Sequence, residues 1–593
     1  MTDPTPSPPD FAKPQPGPRR PLPWRRAPIV LLLALTAFLL VFRLGTPGLT
    51  DRDEASFSEA VREMTVDGDW LTPHFNGATR FDKPPLIYYL MAVPVTVFGL
   101  SEFSLRLHSA TAGVGLVLLV FLFARRHAGQ RAAIYSAGCL AASLGFLVLG
   151  RAAITDMTLL LLTTGALFSF FRAYWSPAPS GRPWYRLADV LLALAFLVKG
   201  PVGPLAVSLA AAAFLFAAGG FRRYAREARP WLSVLIVLGI SLPWFALMLV
   251  LHGQAYIDAA MYHTVTRYTS TLGGHGGTVF YYFPVVLLIL FPWSLFLPGA
   301  LREVLTRLPQ PIPDPPLSKG GWSYFSRIRT SARLDAVTSF PVFLAIWVIV
   351  VFVFFSLSST RLPHYVAPLF PPAAILVGTR FSRWMEERKE TKTPPSLFFQ
   401  AAAGTVLAVG VAGLDLVYGR YGGLVLREVP SAQAVDLGPW GLTLAAILFI
   451  GSAALTWAGF RRTWEAAWLS GVATVSLAFV TVVTAILPAV DAKFLAPGRN
   501  LARKAGTLVP PGRAWAIYEV YRPSFVFYSE RRVVQIREGE EGHLAARIES
   551  GEVSAVLARE SRVQRIKEID PSLSVQDVQG GLALMVRGGG SPR

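Results

Sequence analysis

The sequence predicts a polytopic α-helical membrane protein of about thirteen transmembrane helices, with a small α/β domain at its C-terminal end. The first observation behind this is charge poverty. Of 593 residues 53% are hydrophobic and 16% charged, where soluble domains carry about 25% charged residues. The deficit lies in blocks such as 29–42, 112–124 and 342–355, which with their apolar flanks approach the roughly 20 residues that cross a bilayer as a helix. The second observation is the placement of the net charge of +19: the basic residues sit in short loops between the blocks. That suits an anionic membrane surface and excludes a nucleic-acid partner. The third is that residues 489–593 regain soluble composition. There 515–520, 525–528 and 553–557 read as strands and 541–548 as a helix. Cys139, the single cysteine, lies in an apolar block, so no internal disulfide and no cysteine metal cluster is expected.

Charge parity orders the elements. Residues 1–27 read as a disordered, basic, proline-rich tail, and Arg19, Arg20, Arg25 and Arg26 hold it inside. The first apolar block lacks a small-residue cleavage site and reads as a retained helix rather than a signal peptide. Span 1 then exits near Leu44, and residues 45–105 form a long outer segment. Later spans return to Arg125, Arg126 and Arg131, to Arg172, Arg182 and Arg186, and to Arg222, Arg223, Arg226 and Arg229. Others return to the loop holding Arg302 to Arg333, to Arg380, Arg383, Arg388 and Lys389, and to Arg461 and Arg462. Span 5 is the short one, with an apolar run of only 190–198 before Lys199-Gly200-Pro201. Span 13 exits near Leu487, leaving 28–488 as the membrane domain and 489–593 outside. No internal repeat is visible, which argues against an inverted-repeat transporter.

The same parity gathers acids, histidines and isolated cations on the outer side. Asp53 and Glu54 open a segment in which Phe57, Ala60, Val61 and Met64 recur at helical spacing. It reads as an amphipathic helix at the membrane surface, capped by Thr50 or Asp51. The plainer account of its acids is complementarity to the helix dipole. Asp82-Lys83 precedes Pro84-Pro85 and the aromatic anchor at Tyr88-Tyr89; a lysine snorkelling beside a span would explain it equally well. Asp156 follows Arg151, with which a helix-terminal acid would simply pair. The fourth outer loop carries His252, Tyr256, Asp258, His263, Arg267, Tyr268 and His275, and a spacing of four puts His263 and Arg267 on one helical face. Ser358 to Tyr365 joins spans 9 and 10. Cations and acids beside apolar grooves suit a substrate with a phosphate head and a long lipid tail.

At these motifs the chain resembles the bacterial aminoarabinose transferases of lipid A and the wider protein-O-mannosyltransferase-like superfamily. The residues that carry the likeness are Asp53-Glu54, Asp82-Lys83-Pro84-Pro85 and Ser358 with Arg361-Leu362-Pro363-His364-Tyr365. Leu197-Val198-Lys199-Gly200-Pro201 and Phe291-Pro292-Trp293 add to it. It runs through spans 1 to 10 in order, and the C-terminal third matches in architecture only. The resemblance implies a GT-C type fold in the bacterial inner membrane, a periplasmic C-terminal domain, and an active site facing the periplasm. It implies transfer of a sugar from a polyprenyl-phosphate carrier to a lipid A-like lipid, a glycan or a protein by a monomeric enzyme. By the same resemblance Asp53 and Asp156 are the catalytic acids, and Lys83 and Arg267 ligate phosphate. Arg361, His364, Glu54 and Tyr88 complete the substrate-binding set. Asp53, Asp82 and His263 would hold one divalent ion, zinc, magnesium or manganese. The chain departs from the family at Ser56-Phe57, where the transferases carry Arg-Tyr, and at Arg80, where they carry an aromatic, so the sugar stays open. The competing class is a transporter or flippase for an anionic lipid, which would place its charged residues near the midplane of the spans.

Overall fold

The computed structural model describes residues 27–270, 277–306, 336–387, 394–413 and 437–587. The N-terminal tail, most of the long loop expected between spans 8 and 9, Gly273 to His275, Arg388 and Lys389 lie outside these. The membrane part opens with α1 (Ala27–Val41), and α2 (Asp53–Asp67) follows after a turn. A hairpin of β1 (His74–Phe75) and β2 (Ala78–Thr79) turns through Asn76-Gly77, both at positive φ, the Asn-Gly signature of a tight hairpin turn. Next come α3 (Leu86–Phe98), α4 (Glu102–Ala141), α5 (Leu144–Leu149), α6 (Asp156–Trp175), α7 (Arg182–Lys199), α8 (Val202–Ala217), α9 (Phe221–Ala228) and α10 (Pro230–Met261). Ser101 and Ser104 form a reciprocal capping box at the start of α4. Gly129, at φ 87°, breaks α4 beside the basic turn expected there. The expected span 5 falls in the 18-residue α7, which carries Arg182, Arg186, Asp189 and Lys199 and is not among the helices long and apolar enough to cross a membrane.

Among the described residues six helices are long and apolar enough to cross a membrane, and a seventh is formed by a bent pair. Four shorter apolar helices accompany them. The protein is therefore a multi-pass membrane protein. Two expected spans are not simple rods. Span 8 is broken at Phe291-Pro292, where Tyr282–Ile289 and Trp293–Thr306 meet at 114°, because proline supplies no donor for a continuous helix. The helix of span 13 runs on past Leu487, from Trp464 to Leu508, carrying the chain directly into the C-terminal domain.

That domain is a five-stranded sheet in the order β4-β3-β5-β7-β6, built from β3 (Ala514–Tyr518), β4 (Val533–Ile536), β5 (Val553–Arg559), β6 (Leu573–Gln579) and β7 (Leu582–Arg587). β3 is parallel to both neighbours, and β7 is antiparallel to β5 and β6. Alternation along β3 sends Trp515 and Ile517 to one face and Ala516 and Tyr518 to the other. The second face is covered by the helices Glu541–Glu549 and Val563–Ile569 through Leu544, Ile548 and Ile566. The first face shares one apolar core with Leu501 and Ala502 of the long helix and with Phe57, Val61 and Met64 of α2.

Three expectations fail here. Residues 525–528 are not a strand but lie in the helix Pro523–Ser529, with Pro523 in its first turn and all seven residues buried. Four β-prone side chains in a row favour a strand locally, and packing against α2 overrides that preference. Nor is α2 a one-sided surface helix: residues 54 to 61 are buried without interruption, because the C-terminal domain lies over the face expected to meet water. Its start is not capped by Thr50 or Asp51 either, since Arg52 occupies the cap position and makes no side-chain cap bond.

Candidate active site

Six segments that are distant in sequence end around one cavity of about 130 Å³. The first residue of α2 contributes Asp53, and the segment ahead of α3 contributes Asp82 and Lys83. The start of α6 gives Asp156 and the end of α7 gives Lys199. The outer end of α10 and the π-helical turn Tyr262–Thr266 give Tyr256 and His263, and the 358–365 segment gives His364 and Tyr365. Opposite these polar groups the wall is apolar, with Leu159, Leu160, Val202, Phe245 and Phe355. Pro84-Pro85 fixes the approach to α3, and Phe81 wedges against His252 and Tyr256 of α10 with ring centroids 4.9 and 5.4 Å apart.

The charges in the cavity are arranged in pairs. Asp156 Oδ1 accepts from Lys199 Nζ at 2.6 Å, and His364 Nε2 stands 4.0 Å from the same oxygen. Lys199 also lies 5.5 Å from the Tyr365 ring centroid. Asp82 accepts from Arg80 Nη2 at 2.6 Å and from Tyr88 Oη at 3.2 Å, and Lys83 Nζ is 3.6 Å away. Burial alone would raise the Asp82 pKa; the attraction of Arg80 and then of Lys83 outweighs it, and the carboxyl titrates well below the usual range. Arg80 is held between the Phe57 and Phe75 rings, 5.4 and 5.7 Å from their centroids. Asp53 is exposed, at the first turn of its helix.

The structure thus brings Asp53, Asp82, Lys83, Asp156, His263 and His364 to one cavity, with Tyr88 behind Asp82. It does not bring Glu54 there. Glu54 is 4% exposed and forms a buried ion pair with Arg106, at 2.7 and 2.9 Å, while also accepting from the amides of Thr50 and Ala153. Its carboxyl points into the protein because Arg106 needs a buried anion; Arg106 also donates to the carbonyls of Leu44, Pro47 and Gly48. Arg361 does not line the cavity either. Its guanidinium donates to the carbonyls of Gly277 and Ser356, and its neighbours Ser359 and Thr360 bond to the 268–270 segment. Arg151 does not pair with Asp156: it donates to the carbonyls of Leu39, Leu40, Phe42 and Arg43 and so caps the end of α1. The side chain of Arg267 lies outside the described residues. Lys199 is the residue that sequence reasoning undervalued. Its signal was an isolated cation at the outer end of a span, and its partner lies 43 residues away.

The residues present do not suit the expected metal. Among the described residues no group of three or more His, Cys, Asp and Glu side chains is arranged to hold an ion. Asp82 is already engaged by two cations and a phenol.

Just ahead of Asp53 the backbone is strained. Arg52 adopts φ 71° and ψ −99°, an arrangement that costs a non-glycine residue about 1–3 kcal/mol and persists only where neighbours impose it.

Comparison with known proteins bears on the fold and the sequence as a whole. The family model for dolichyl-phosphate-mannose-protein mannosyltransferases matches residues 82–246. An undecaprenyl phosphate-alpha-4-amino-4-deoxy-L-arabinose arabinosyl transferase of Edwardsiella ictaluri is 29% identical over 419 residues, covering 68% of this chain and 65% of that protein. The protein of the same name from Shewanella sediminis is 25% identical over 517 residues, covering 86% of this chain and 85% of its own length. The chain therefore spans just under two thirds of the first relative and most of the second. The crystal structure of ArnT from Cupriavidus metallidurans bound to undecaprenyl phosphate superposes with a TM-score of 0.73 at 20% identity, over 96% of this chain and 100% of that one. In sequence the chain is similar to aminoarabinose transferases, and in fold it is similar to ArnT, a likeness that fits its reading as a multi-pass membrane protein.

Proposed function

We propose that the protein is a glycosyltransferase that moves a sugar from a polyprenyl-phosphate carrier to an acceptor at the outer face of a bacterial inner membrane. The observation that carries this is the cavity that Asp53, Lys83 and Lys199 line together with a largely apolar set of residues. The relatives' names state undecaprenyl phosphate as carrier, and the apolar wall suits the first isoprenes of such a tail. The acceptor oxygen or nitrogen attacks the anomeric carbon as the bond from that carbon to the phosphate oxygen breaks, which inverts the centre. Asp53 takes the acceptor proton or orients the acceptor, and Asp156 holds Lys199 towards the leaving phosphate. A phosphate leaves as a stable anion, so neutralisation by Lys83 and Lys199 replaces the protonation that a glycoside hydrolase needs. No step runs through a metal.

About thirteen crossings, a cytoplasmic N-terminus and a periplasmic 489–593 domain complete the reading. The flippase alternative has no support among the relatives, all of the named ones being transferases. The test is transfer by the purified protein from polyprenyl-phosphate sugars, paired with mass spectrometry of lipid A and surface glycans from a deletion strain. A deletion strain with unaltered lipids, glycans and proteins, together with an inactive purified enzyme, would overturn it.

A further inference from the structure

The C-terminal domain reaches Asp53 through one turn of chain. Gly48 N donates to Asp491 Oδ1 at 2.9 Å, and Leu49 N to Tyr528 Oη at 2.8 Å. Asp51 Oδ1 accepts from Ser524 N at 3.0 Å, and its other oxygen lies 3.7 Å from Arg522 Nε. A Cβ on Gly48 would stand 1.9 Å from Arg499 Nη1, so a side chain there would displace the guanidinium that pairs with Asp491. From the opposite side, Glu54 is drawn inward by Arg106 and by the Ala153 amide. Asp51 and Glu54 are thus anchored to different bodies. Arg52 lies between them in its strained conformation, and Asp53 leaves that residue towards the cavity.

We propose that Asp51 is a positioning residue for sugar transfer and that the C-terminal domain acts on the reaction through it. Its contacts with Ser524 and Arg522, opposed by the Glu54–Arg106 pair, keep Arg52 at positive φ and so aim Asp53. The domain is then a clamp on the reaction centre. The inference rests on the role given to Asp53 above, and its test includes a readout that does not.

In the full-length protein, Asp51→Ala should lower kcat about tenfold, the scale of a small misplacement of a reacting group, with KM for the polyprenyl-phosphate sugar unchanged. Amide exchange across residues 52–57 should quicken. Glycine holds positive φ without strain, so adding Arg52→Gly should restore most of kcat and slow the exchange again. Asp51→Asn, which keeps an acceptor for Ser524, should lie between wild type and Asp51→Ala. A double variant no better than the single one would overturn the proposal. So would an Asp51→Ala protein that changes KM alone, or one that alters neither kcat nor exchange. If the wild type transfers no sugar, the functional reading fails, and the exchange contrast between single and double variants still decides the clamp.

Discussion

Asp53 and Glu54 are adjacent acids with opposite fates, and substitution should separate them. Asp53 is exposed at the cavity, so Asp53→Asn keeps the shape and removes the charge. Turnover at saturating donor should fall roughly 10²–10⁴-fold with little change in melting temperature; near-normal turnover would remove Asp53 from the mechanism. Glu54→Gln should do the reverse. It leaves the Arg106 guanidinium buried beside a neutral amide, which should cost about 3–5 kcal/mol in a thermal melt. Lys83→Ala should weaken polyprenyl-phosphate binding in a folded protein, and unchanged affinity would move the phosphate towards Lys199. Because among the described residues no three such side chains are arranged to hold an ion, transfer should survive thorough chelation; loss of activity that added zinc or magnesium restores would show that a metal takes part. The sequence made Asp53, Asp82, Lys83, Asp156 and His364 legible because each sits in its own short outer motif. Glu54 was misread because helical periodicity says which way a side chain points but not what waits there, and Arg106 lies 52 residues on.

At the scale of elements, α2 is a core helix shared by the membrane part and the C-terminal sheet. Asn76, in the β-hairpin turn, exchanges two hydrogen bonds of 2.8 Å with the backbone of Val533 on the edge strand β4, closing that edge as another strand would. Asn76→Ala should lower stability by about 1–3 kcal/mol and expose β4 to faster amide exchange; unchanged exchange would show the edge is closed by other contacts. Glu59 of α2 is fully buried against Arg62, with contacts of 2.7 and 2.8 Å. Burial pushes its pKa up to about 7, beyond what Arg62 recovers. The folded state therefore holds a proton that the unfolded chain releases near pH 4.5, and stability should fall as pH rises from about 4.5 to about 7, by on the order of 3 kcal/mol, then level off. A melt at pH 5 that is no higher than at pH 8, or a slope that Glu59→Gln fails to flatten, would contradict this.

For the whole molecule the question is orientation. The charge parity puts 1–27 and 299–338 in the cytoplasm and the C-terminal domain on the opposite side. A reporter fused after Arg593 should be active only when it functions outside, and cytoplasmic activity would reverse the assignment. The docking of the sheet onto α2 requires 45–105 and the C-terminal domain to share a side, so both must move together if either is reassigned.

What the sequence determined by itself was the membrane class and the identity of most cavity residues. These follow from transfer of local composition into lipid or water, which needs no knowledge of distant neighbours. The strands at 514–518 and 553–559 and the helix at 541–549 were legible for the same local reason. Tertiary structure alone decided the rest: which cation meets which acid, the bend at Pro292, the run of the last helix into the domain, and the helix at 523–529. Each depends on packing between segments tens to hundreds of residues apart. Burial at those contacts outweighs local preference, turning a strand-like run into a helix and an outer acid into the partner of a buried arginine.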